Sequence, residues 1–134
     1  MIDRMPVVVA PLEDEIAPFV DRIGGVPEPR SEELTAWSGR LGGRRVVAAT
    51  IGDGAGAAER GLSHLLTLVE PARLLLIGVA GGLSDDLGVG AIVGAEAVRT
   101  TEGGSLVATG GAIDRVERGT VVTAERIVST ANAK

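Results

Sequence analysis

The 134 residues are 45% hydrophobic and 23% charged, which is enough apolar material for the core of one ordinary domain and too much for a disordered tail. A net charge of −5 argues against nucleic acid or an anionic membrane surface as the main partner, since either calls for a basic face. With no cysteine and one histidine, His64, the chain has no disulfides, no thiolate chemistry, no Cys-type zinc site and no His-cluster metal site.

The run Pro6–Ala10 (PVVVA) is short and rich in β-branched residues, and it predicts a buried strand. A helix follows, with Ile16, Phe19, Val20 and Ile23 at helical spacing and Gly24-Gly25 as its stop. After a polar loop (PEPRSEE), Leu34–Gly39 and Arg45–Ile51 predict a hairpin that turns through Leu41–Arg44. The stretch GDGAGAAERGLSHLLTLVE opens on glycine and continues as a helix whose apolar face is Ala58, Leu62, Leu65, Leu66 and Val69. Leu74–Val79 is the most hydrophobic strand, Val89–Thr100 another, and Gly119–Val128 a last one. Phe19 and Trp37 are the only aromatic residues, so the core must be Val, Ile, Leu and Ala. No apolar run reaches the ~18 residues of a membrane span, and the N-terminus shows no signal-peptide pattern. A cytoplasmic protein is the expectation.

Strands that alternate with helices and read as continuous apolar runs predict an α/β fold: a central mixed, mostly parallel sheet flanked by helices. Ligands of such sheets sit beyond the carboxyl ends of the strands. Three features fall there: the acidic run after Ala10, the glycines after Ile51, and GVAGGLSDDLGVG from Gly78 to Gly90. The chain carries 20 glycines, about double the usual ~7%. Glycine is kept where backbone must turn through positive φ or come close to something, and a ligand is one candidate. After Val128 the sequence STANAK stops just where a helix is expected to begin. The expectation is that the natural protein continues, or that another chain covers an open sheet edge.

The segment Gly78–Leu83, the loop Ser84–Leu87 and Val89–Val93 together resemble the signature of the nucleoside phosphorylase and nucleosidase family. That family includes purine and uridine phosphorylases and methylthioadenosine/S-adenosylhomocysteine nucleosidase. Three more stretches match in order. Ala10–Ile16 resembles the nucleosidase opening Ala-Met-Glu-Glu-Glu, Trp37–Ala58 the family hairpin with Gly-x-Gly-x-x-Ala-Ala, and Gly119–Val128 the later Gly-x-Ile-Val-Ser/Thr-Gly-Asp-x-Phe strand. The match covers nearly the whole chain apart from a shortened region around Thr101–Arg118, so residues 1–134 read as the N-terminal part of a single such domain. The resemblance implies cleavage of an N-glycosidic bond by phosphate or by water, with purine nucleosides of the adenine type favoured. It implies no cofactor (phosphate as a possible co-substrate), no metal and a homo-oligomer.

Within that resemblance Glu15 aligns with the glutamate that activates the attacking water, a task suited to a carboxylate. Equally, Glu13, Asp14 and Glu15 at a helix start fit the preference of acids for the positive end of the helix dipole. Gly52 and Gly54 could hold a phosphate or sugar against backbone N–H groups, or simply let strand and helix pack closely. Gly52, Gly54 and Gly56 give G-x-G-x-G, which is not the dinucleotide fingerprint. Val79, Ala80, Gly81 and Gly82 match the loop that lines the base and sugar pocket, but Val79 stands where the family has Ser or Thr. Valine donates no side-chain hydrogen bond, which weakens the case for phosphate. Glu125 replaces an aspartate and Ile127 the aromatic residue that stacks near the base. The family's Glu-Met-Glu ribose clamp and its Ser-Asp acid for the leaving base do not follow Val128. A non-catalytic nucleoside-binding or assembly module is therefore the alternative.

Overall fold

In the computed structural model, residues 4–107 and 115–124 are described. They divide into two compact units, Met1–Ala80 and Gly81–Lys134. The first unit holds a five-stranded sheet in the order β2-β3-β4-β1-β5 and two helices. Its elements are β1 (Met5–Ala10), α1 (Glu13–Arg22), β2 (Val26–Pro27), β3 (Thr35–Leu41), β4 (Arg44–Thr50), α2 (Ala55–Leu68) and β5 (Pro71–Leu76). β1 runs parallel to both β4 and β5, whereas β2, β3 and β4 pair antiparallel. The predicted hairpin is present, closed by Gly42 and Gly43 at positive φ, the backbone that matches the twist of its strands.

Successive residues of a strand face opposite sides of the sheet, and β1 is buried on both. Val7 and Val9 pack with Leu34, Ala36, Ala49, Ile51, Leu65 and Val69 on the side of α2. Val8 and Ala10 pack with Ile16, Ile23, Trp37, Val46 and Ala48 on the side of α1. That double burial is why β1 reads as an unbroken apolar run. Ile16, Leu65, Val7 and Val9 are fully buried, each worth about 1.5–3 kcal/mol relative to exposure. α2 sits close to the sheet at Gly61, where a Cβ would lie 2.3 Å from the Ile51 carbonyl oxygen and 2.8 Å from that of Glu33.

Some expectations change: the strand expected over Leu74–Val79 is Pro71–Leu76, and the one expected from Val89 begins at Val93. Leu66 is 49% exposed and does not join the buried face of α2. β5 is the edge strand of its sheet, and Leu74, Leu75 and Leu76 are 44%, 44% and 63% exposed. Within the first unit the helices pack over the inner strands and not over this margin.

The second unit holds β6 (Val93–Thr100) between β7 (Ser105–Val107), antiparallel, and β8 (Glu117–Thr123), parallel. A register shift between Ala95 and Ala97 interrupts the β6–β8 ladder, and Arg118 pairs with Glu96 at 3.4 Å. None of its described residues is buried. Among the described residues no helix is long and apolar enough to cross a membrane.

Candidate active site at the carboxyl end of the sheet

The strands β1, β4 and β5 end level with one another. The Ile51 N–H donates to the Ala10 carbonyl at 3.0 Å, and the Ile77 N–H donates to the Val9 carbonyl at 2.9 Å. The β1–α1 turn, the glycines after β4 and the segment after β5 therefore open from one end of the sheet.

Glu15 is the half-buried carboxylate at this end. It is the third residue of α1, and its Oε2 turns back to accept the Leu12 N–H at 3.1 Å, satisfying a donor that the first helical turn leaves free. Its Oε1 accepts the Val79 N–H at 3.0 Å. One side chain thus ties the start of α1 to the segment leaving β5. Gly78 makes room for it: a Cβ there would lie 3.3 Å from Oε1 and 3.7 Å from Pro11 Cδ. The Val79 side chain itself is 85% exposed.

The structure brings Glu15 and Val79 into direct contact. Gly52, with φ +95°, and Gly54, with φ +83° as the N-cap of α2, follow β4 at the same end of the sheet. A cavity of about 90 Å³, room for a few water molecules, adjoins Gly52 and is lined by Glu32, Glu33, Ile51, Ala57 and Arg60. Ala80 is exposed at the close of the first unit. Gly81 and Gly82 open the second unit. A Cβ on Gly81 would meet nothing within 4 Å, and one on Gly82 would lie 3.6 Å from Leu87 Cβ. Glu125 and Ile127 lie outside the described residues.

Two contributors carry no sequence signal of their own. Leu12 and Val79 act through backbone N–H groups, which every residue but proline possesses. Gly78 was visible only as one of many glycines. His64 stays outside the chemistry: Ser31 Oγ at 3.2 Å and Glu33 Oε2 at 3.5 Å both approach Nδ1. A serine–histidine–carboxylate relay needs one partner on each ring nitrogen.

The sequence pattern of the Phosphorylase superfamily matches residues 7–112. A 5′-methylthioadenosine/S-adenosylhomocysteine nucleosidase from Desulfotalea psychrophila is 29% identical over 92 residues, covering 69% of this chain and 39% of that protein. One from Baumannia cicadellinicola is 33% identical over 92 residues, covering 69% of this chain and 40% of that protein. The matched region thus spans about two fifths of these relatives' own length. The crystal structure of the nucleosidase of that name from Neisseria meningitidis, in complex with methylthio-immucillin-A, shares the fold. Its TM-score is 0.80 at 20% identity, over 97% of this chain and 68% of that one. The match over residues 7–112 takes in both the Glu15 turn and the Gly78–Gly82 loop, and the chain belongs to the Phosphorylase superfamily.

Proposed function

We propose that this chain carries the nucleophile-activating half of a nucleoside hydrolase that cleaves the N-glycosidic bond of an adenine nucleoside. The observation that carries the reading is the Glu15 carboxylate, fixed by the Leu12 and Val79 N–H groups beyond the end of β1 and β5. Names of relatives support the substrate class: two curated proteins that it matches are methylthioadenosine/S-adenosylhomocysteine nucleosidases.

In the proposed reaction the bond between C1′ and the base nitrogen breaks, and its electron pair leaves with the base. Water adds its oxygen to C1′ and gives a proton to Glu15. Each Glu15 oxygen accepts one backbone bond and keeps a lone pair free for that proton. The same carboxylate favours the positive charge that develops on the sugar. Water fits the position better than phosphate. A phosphate dianion beside Glu15 is repelled, and Val79 presents an isopropyl group where a hydroxyl donor would help to hold it.

The test is release of adenine from methylthioadenosine and adenosine, with and without phosphate, beside calorimetric binding of adenosine. Adenine and free sugar that appear independently of phosphate support hydrolysis. A sugar 1-phosphate as product overturns that choice. Adenosine binding without any release supports a binding module instead. No binding at all overturns the nucleoside assignment.

A further inference from the structure

The segment that leaves β5 has few side chains to hold it. Leu74, Leu75, Leu76 and Val79 are exposed, and Gly78 has no side chain. Ile77 is the exception. It is half-buried and packs against the cluster of Val8, Ala10 and Ile16 on the side of α1. β1 and β5 pair as far as Val9 and Leu76, and the Ile77 N–H adds one more bond, to the Val9 carbonyl at 2.9 Å. Ile77 is thus fixed twice, by its backbone to β1 and by its side chain to the core under α1. The peptide group that joins Gly78 to Val79 comes next, and its N–H reaches Glu15 Oε1 at 3.0 Å. Glycine has the widest choice of backbone angles, so Gly78 does not set the direction of that N–H by itself. The Val79 side chain is 85% exposed and offers little packing to set it from the other side.

We propose that Ile77 is a positioning residue for Glu15: its packing against the α1-side core aims the Gly78–Val79 peptide, and that peptide holds one of the two carboxylate oxygens. This rests on the reading of Glu15 as the base. The other oxygen, Oε2, is held by the Leu12 N–H within the first turn of α1. Loss of the Ile77 side chain therefore frees Oε1 and leaves Oε2 in place. A carboxylate held at one oxygen swings, and a misplacement of about 1 Å costs up to roughly 10²-fold in rate.

Amide hydrogen exchange and turnover, measured on Ile77→Ala, Ile77→Val and Val20→Ala, test the assignment. Val20 packs against the same cluster from near the far end of α1, so its truncation weakens the core without touching the segment after β5. Residue 77 does not flank the Val79 amide, so its substitution leaves the intrinsic exchange rate of that amide unchanged. In Ile77→Ala the Val79 amide should exchange at least about tenfold faster, with Leu12 within about twofold of wild type. Ile77→Val should lose about threefold at Val79 alone, and it carries the test if Ile77→Ala does not fold. Val20→Ala should leave the ratio of Val79 to Leu12 protection unchanged. For adenine release, Ile77→Ala should lower kcat about tenfold with KM within about threefold, and Val20→Ala should keep kcat within about twofold. Unchanged Val79 protection in the Ile77 variants overturns the assignment, as does an equal loss at Leu12 or an equal loss in Val20→Ala. The expected exchange pattern in a chain that releases no adenine even as wild type removes the reading of Glu15 as the base, while the positioning of its carboxylate by Ile77 stands.

Discussion

At the scale of single residues, Glu15 has two jobs, and they can be separated. Glutamine keeps an oxygen to accept one of the two backbone bonds but cannot take a proton at neutral pH. E15Q is therefore expected to lower the rate of adenine release by about 10²-fold or more, with a melting temperature within a few degrees of wild type. A variant that melts normally and turns over normally rules Glu15 out as the base. Gly78→Ala tests the position of the carboxylate. The new methyl group would press on Oε1 from 3.3 Å, tighter than ordinary contact, and turnover should fall about tenfold without loss of fold. Much of this was legible in the sequence, because an acidic helix start after a buried strand sits where open sheets bind ligands. Its partner was not. Val79 contributes a peptide group, and peptide groups leave no mark on residue identity.

At the scale of elements, the apolar runs predict β1, the β3–β4 hairpin and both helices within a few residues. β2, with two residues, and β7, with three, are too short to carry a pattern. The exposure of β5 was hidden for a different reason. A leucine run reads alike in the middle of a sheet and at its margin, and only strand order tells them apart. The register of α2 can be checked directly. Leu65 is 2% exposed and Leu66 is 49% exposed, so Leu65→Ala should cost about 2–5 kcal/mol and Leu66→Ser well under 1 kcal/mol, read by urea unfolding. Similar costs for the two would show that the helix face is misplaced. Gly61→Ala should destabilise by about 1–3 kcal/mol, because a methyl group has no room against the Ile51 carbonyl and backbone would have to move.

At the scale of the whole molecule, the two units differ in what holds them. Every buried hydrophobic residue among those described belongs to the first unit, and the second has strand ladders without a buried side chain. Amide hydrogen exchange should show it: β1 and β4 protected most, β6 and β8 exchanging well before them. Equal protection in the two sheets would contradict this division. The Glu15–Val79 bond bears on how the first unit assembles. Its two ends are 64 positions apart in sequence, so closing it requires β5 to be already in place beside β1. It should then belong to a late step on the refolding route. Cutting it should speed unfolding and leave the refolding arm of a chevron plot almost unchanged, so that the group proposed for chemistry would also act as the last fastening of the folded state.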